Sequence, residues 1–166
     1  MDHTVALTGP LDPRSGWQAD ACSVAKALEV VGTRSAMLLL REAFYGTTRF
    51  DDFAERVGIS QPVAAARLRE LVDAGLLARV PYQDPGQRSR LGYELTEQGA
   101  DLFPTLVALM QWGDRWLAPN GGPVVLAHHG CGAPVRAELH CANGHTVESG
   151  DLDLTIGPGS RLATSG

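Results

Sequence analysis

The chain has 166 residues, 44% of them hydrophobic and 20% charged, enough for one full core or for one domain with a small appendage. No apolar run approaches the roughly 20 residues a bilayer requires, and the Gly-, Pro- and Asp-rich start lacks the basic-then-apolar order of a secretory signal, so a cytoplasmic protein without a membrane partner is expected. A formal charge of −5 argues mildly against nucleic acid, and three cysteines, an odd number, point to reduced thiols rather than a disulfide framework.

Residues 1–20 read as a flexible N-terminal arm. From Cys22 to Val31 the apolar positions Val24, Ala27, Leu28 and Val31 have helical spacing. After Gly32, Ser35 is placed to cap a second, mostly buried helix over Ala36–Tyr45, ended by Gly46. Arg49–Val57 is a short amphipathic helix with Phe50, Phe53, Ala54 and Val57 inward, and Gly58 suits the left-handed turn after it. Ser60 is placed to cap the next helix, which carries Pro62 in its first turn and runs to Ala74 before Gly75. Two short helices about a tight Gly turn, the second bearing Arg, make a helix-turn-helix.

Leu76–Tyr82 and Arg90–Leu95 then form a hairpin, with Arg88 and Arg90 at its tip, in the place of a wing. Thr96 caps a long helix with an apolar stripe from Leu102 to Leu117. Pro104 lies too deep for a free first-turn site and predicts a kink or a fresh start near Phe103. Residues 119–123 (Pro-Asn-Gly-Gly-Pro) read as a linker, and residues 124–156 as a small β-rich extension with strands at Val124–Ala127, Val135–Leu139 and Asp151–Ile156. Residues 157–166 read as a disordered tail. The fold class is α+β: a winged helix-turn-helix over residues 21–118, with a long C-terminal dimerisation helix and the small extension.

Between Arg49 and Arg90 seven arginines face six acids, a local charge of +1. Electrostatics alone therefore does not select a function; the order of the elements does. In that order the chain resembles the HxlR-type transcriptional regulators, a winged-helix family related to the MarR type. The resemblance rests on Cys22-Ser23-Val24-Ala25-Lys26-Ala27-Leu28, Leu39-Leu40-Arg41-Glu42, Arg49-Phe50-Asp51-Asp52-Phe53, Gly58-Ile59-Ser60, Arg67-Leu68-Arg69-Glu70-Leu71, Gly75-Leu76-Leu77 and Tyr93-Glu94-Leu95-Thr96-Glu97-Gln98-Gly99. It spans roughly Ala21 to Leu117, and the segments Pro81-Tyr82-Gln83 and Gln111 to Trp116 resemble the longer members. It implies a homodimer joined through the terminal helices, with operator DNA bound by two winged helices. Where the family has Gly-Asp-Arg/Lys-Trp, this chain has Gly32-Thr33-Arg34-Ser35. The missing Trp either opens a small ligand cavity or is compensated by repacking of Met37.

With Ala64, Leu68, Leu71 and Val72 inward, the second helix turns Pro62, Ala66, Arg69 and Asp73 outward, with Ala65 and Arg67 on the flanks, and its N-terminal turn from Ser60 and Gln61 to Ala66 is placed to enter the major groove. Gln61 suits adenine, and Arg67 or Arg69 suits guanine or phosphate, while Ala64-Ala65-Ala66 offers only methyl contacts. Specificity is therefore expected to lean on DNA shape and on Arg88 and Arg90 in the wing, with Arg49 on a phosphate. The alternatives are an internal pair of Arg67 or Arg69 with Glu70 or Asp73, and a solvated turn for Arg88 and Arg90.

Cys22 stands at the head of the first helix, where the dipole favours a reactive thiolate. The resemblance suggests oxidant sensing there; the alternative is a small buried interface residue. His128-x2-Cys131 and Cys141-x3-His145, with His140 in reserve, have the spacing of two arms of a structural zinc site. Longer relatives carry Cys-x2-Cys-Gly in the second arm, and Asn143-Gly144 departs from it. No nucleophile is paired with a base, so the reading is a regulator and not an enzyme: a dimeric repressor modulated by a small ligand or by oxidation. The alternative is a small-molecule-binding dimer with weak DNA contacts, its pocket lined by Met37, Trp112 and Trp116.

Overall fold

The computed structural model describes residues 3–12 and 22–159 and divides into two compact units, residues 28–135 and residues 1–27 with 136–166. The division falls at Val135–Arg136 rather than at the Pro-Gly stretch 119–123, because the chain just past that stretch stays with the helical unit.

That unit begins within α1 (Ser23–Val31), followed by α2 (Arg34–Phe44), α3 (Phe50–Val57) and α4 (Gln61–Asp73). The cap of α2 is Thr33 and not Ser35: the Thr33 hydroxyl accepts from the Ala36 N–H at 3.2 Å, so the helix starts two residues earlier than expected. Gly58 takes the left-handed conformation (φ 68°, ψ 41°) that ends α3, allowing the sharp turn through Ile59 into α4. Leu39 and Leu40 of α2, Phe53 of α3 and Leu68 and Leu71 of α4 close one core, with Phe53 edge-on to Tyr93 at 6.0 Å.

β2 (Leu77–Tyr82) and β3 (Arg90–Leu95) pair antiparallel from Leu77↔Leu95 to Tyr82↔Arg90. The Tyr93 N–H donates to the Thr48 carbonyl at 2.9 Å, tying the hairpin to the loop before α3. Gly92 permits this approach, since a Cβ there would lie 2.9 Å from the same carbonyl oxygen. Thr96 caps α5 (Glu97–Ala100), and α6 (Phe103–Trp116) starts afresh with Pro104 in its first turn, as the proline position predicts.

A polar chain centred on buried Glu42 and Thr47 locks α2 to α3. Glu42, nearly inaccessible, accepts from Arg41 at 2.6 Å and from the Thr47 hydroxyl at 3.3 Å, and Thr47 in turn accepts from Arg56 at 3.0 Å. Removing the carboxylate strands Thr47 and unpairs Arg41. Glu42→Ala is expected to cost about 3 kcal/mol in urea unfolding; a loss below about 1 kcal/mol would show that the chain is not structural.

The other unit corrects two expectations. Part of the supposedly flexible arm is ordered: β1 (Ala6–Leu7) pairs in parallel with β4 (Asp153–Leu154), and Thr8 donates through its N–H and its hydroxyl to the Leu154 carbonyl. Its Val5-Ala6-Leu7 run suits a short strand, a local signal outweighed in the sequence by the surrounding Gly and Pro. Residues 1–2 and 13–20 of the arm and 160–166 of the tail lie outside the described residues.

The expected strands Val124–Ala127 and Val135–Leu139 are instead extended chain with isolated bridges, Ala127↔Pro134 in the helical unit and His140↔Thr146 in the other. Each spans only a rung or two between Gly-containing turns, and exposed Val125 and Leu139 have no core to pack on. Among the described residues no helix is long and apolar enough to cross a membrane.

Candidate nucleic-acid interface

α4 buries Ala64, Leu68 and Leu71, which leaves Gln61, Pro62, Ala66 and Arg69 exposed and Ala65 and Arg67 on its flanks. Ser60 sits at the N-cap position, yet its hydroxyl makes no capping bond, so the first turn keeps its N–H groups and this hydroxyl available. Gln61 is engaged: its amide donates to Asp51 on α3 at 3.4 Å, holding the start of α4 against the first turn of α3. Arg67 pairs with Glu70 at 2.5 Å, the internal bridge weighed from the sequence. Arg69 has no ion-pair or hydrogen-bond partner among the described residues.

Arg49 occupies the N-cap position of α3 but does not stand free. Its guanidinium lies 2.5 Å from the Asp84 carboxylate in the hairpin loop and stacks 5.1 Å above the Tyr82 ring. The residue expected to grip a phosphate thus also pins the wing to the helix-turn-helix. The loop is held further by the Gln83 amide donating to the Gln87 carbonyl at 2.8 Å. Arg88 and Arg90 project from this braced hairpin, exposed and without acidic partners among the described residues.

Arg79 on β2 is equally exposed and unpaired, and it was not singled out from the sequence. Its signal was the alternation Arg79-Val80 within a two-stranded ribbon, which leaves one face to solvent. Four guanidiniums without partners therefore lie on α4 and the hairpin; of the six acids two are neutralised, Glu70 by Arg67 and Asp84 by Arg49, Asp51 meets only the neutral Gln61 amide, and Asp52, Glu55 and Asp73 have no partner among the described residues. The unpaired charges still sum to +1, so the case for this surface rests on where the free arginines stand and not on an excess of them.

Cys22, half-buried, immediately precedes α1 and lines a cavity of about 450 Å³ with Leu11, Lys26, Leu154 and Ile156. His128 and Cys131 close one tight turn, with Nδ1 3.2 Å from Sγ and the Gly132 N–H on the His128 carbonyl. Cys141 and His145 close another through the Cys141 N–H and the His145 carbonyl at 3.0 Å, while His140 meets Thr146. Among the described residues no three His, Cys, Asp or Glu side chains are grouped so as to hold a metal ion. Met37 lines a cavity of about 290 Å³ between α2 and α6, but Trp112 and Trp116 do not; both are more than half exposed on α6.

Residues 30–121 match the family model described as HxlR-like helix-turn-helix. An uncharacterized HTH-type transcriptional regulator of Mycobacterium tuberculosis is 45% identical over 147 residues, spanning 86% of this chain and 92% of the relative. Among solved structures, PA1607, named as a candidate transcription factor, aligns at a TM-score of 0.72 with 37% identity over 81% of this chain and 94% of that one. The redox regulator HypR in its oxidized form aligns at 0.51 with 29% identity, over 57% of this chain and 96% of its own.

Proposed function

The chain belongs to the HxlR-like helix-turn-helix family and is a DNA-binding transcriptional regulator, and from that premise we propose that it acts in the cytoplasm as a homodimeric repressor. One observation carries the reading of its DNA face: the free arginines Arg69, Arg79, Arg88 and Arg90 are gathered on α4 and the hairpin. The first turn of α4, with Ser60, Gln61 and Pro62, enters the major groove, and Arg69 reaches base edge or phosphate. Arg88 and Arg90 bind phosphate or the minor groove. Because Gln61 and Arg67 are engaged within the protein, sequence preference leans on the wing and on DNA shape.

The second copy of the chain covers the apolar surface of α6. Trp112, Trp116 and Leu117 recur at helical spacing and are more than half exposed, as are Val24 and Leu28 on α1. An apolar stripe of this kind marks an interface rather than a solvated face.

Binding is modulated by a small molecule or by oxidation at Cys22, a reading supported by the thiol's place beside a cavity and by the likeness to a redox regulator. A gel shift with the DNA upstream of its own gene tests the whole reading. A discrete, salt-sensitive complex is expected, and absence of binding to that duplex at low salt would contradict it.

A further inference from the structure

We propose that the cavity between α2 and α6 is the effector site, and that it takes a small lipophilic monocation whose charge is met by Asp114. The proposal rests on the reading of the chain as a ligand-modulated regulator and names the site and the chemistry of the ligand.

The cavity, about 290 Å³, is walled by Met37 and Leu38 of α2, by Leu106, Leu109 and Met110 of α6, and by Val124. That volume suits one aromatic ring with a compact head group. Two charged side chains reach it, Arg41 and Asp114, and their situations differ. Arg41 is already neutralised, with Nη2 and Nε on the Glu42 carboxylate at 2.6 and 3.1 Å. Asp114 has no hydrogen-bond or ion-pair partner among the described residues. It is half-buried against Gly122, where a Cβ would lie 2.2 Å from its carboxyl carbon, so the bare glycine backbone is what gives the carboxylate its place.

The uncompensated charge of the cavity is therefore negative. A half-buried carboxylate beside apolar walls favours a cationic occupant over an anionic one, and the lining also carries two thioethers and Tyr45, whose ring already lies 5.9 Å from the Arg41 guanidinium. An anionic ligand would meet a spent guanidinium and a repelling carboxylate. The wall also connects to the DNA-binding elements, since Arg41 leads through Glu42 and Thr47 to Arg56 on α3. An occupant that displaces Arg41 acts on the helix that positions α4.

Calorimetric titration of the full chain with benzyltrimethylammonium, against neutral N,N-dimethylbenzamide and anionic phenylacetate, tests the proposal. The cation is expected to bind at least tenfold more tightly than either control. Asp114→Asn should remove about tenfold of that preference while leaving the neutral probe unchanged, and Leu106→Trp, which fills the cavity, should abolish binding of all three. Thermal melts of both variants confirm that each is folded. Preference for phenylacetate, undiminished cation binding in Asp114→Asn, or no binding of the cation would overturn the proposal. A gel shift with and without the cation separates the two readings. Binding that depends on Asp114 but leaves DNA affinity unchanged overturns the effector role alone, whereas failure to bind DNA at all overturns the regulator reading and not the site.

Discussion

Replacing Trp112 and Trp116 together by glutamate is expected to convert the protein to a monomer and to lower its operator affinity at least a hundredfold. Both rings are exposed in the single chain, by 54% and 62%, so the double variant leaves the core and the fold of each copy intact. Each ring offers on the order of 100 Å² of apolar surface to a partner, or about 3 kcal/mol. Four rings across a two-fold axis would supply much of the dimer's apolar contact, and four carboxylates in their place would have to be desolvated without partners. The DNA effect follows from linkage. Once one winged helix is bound, the second finds its half-site at a high effective concentration, an advantage of about 10²–10⁴ that a monomer lacks. Light scattering on the eluting protein reads the mass directly. A variant that stays dimeric would place the interface elsewhere, and a monomer that binds the operator undiminished would remove the need for two half-sites.

The second large effect belongs to the wing. Arg88→Ala with Arg90→Ala removes four cationic contacts per dimer, each worth about 1 kcal/mol against DNA, and should reduce affinity by about 100–1000-fold at low salt. The slope of log affinity against log salt should fall by about three to four if all four contacts are to phosphate. The neighbouring carboxylate gives a control of opposite sign. Asp84 holds Arg49 at 2.5 Å, so Asp84→Asn frees that guanidinium and should steepen the slope. Equal slopes for wild type and the double variant, measured by fluorescence anisotropy, would exclude the wing from the interface.

The helical unit was legible because its signals are local and mutually consistent. The period of α3 and α4, the glycine at 58, the Arg-flanked hairpin and the displaced start of α6 at Pro104 each dictate backbone geometry within a few residues. Where the reading failed, the deciding partner was distant or the signal divided. Thr33 and Ser35 are both competent caps, and which one takes the role depends on where α2 begins to bury Ala36. The order of residues 6–7 depends on a strand nearly 150 positions away. The extension carries strand-forming residues, but only Asp153–Leu154, which finds β1 as a partner, forms a strand; Val124–Ala127 and Val135–Leu139, with no core to pack on, do not.

The candidate site shows the same divide. The outward face of α4 follows from helical periodicity alone. Which arginines remain available does not: Arg49 is neutralised from 35 residues away, and Gln61 is engaged by the preceding helix. Residue type suggested Arg49 and Arg67 as contacts as readily as Arg69, and only the three-dimensional pairing separates them. A cavity lined by Met37 is present, but Trp112 and Trp116, expected to line it, turn to the exposed side of α6.

A protein of net charge −5 is expected to bind DNA through a few exposed, unpaired arginines placed on α4 and the hairpin. Titrating operator binding by the wild-type protein against potassium chloride reads this directly. Two copies each of Arg69, Arg79, Arg88 and Arg90 set an upper bound of eight phosphate contacts and, at about 0.9 per contact, a limiting log–log slope near −7. A slope between about −4 and −7 is the expected result; a slope near zero, or binding that strengthens with salt, would contradict the account.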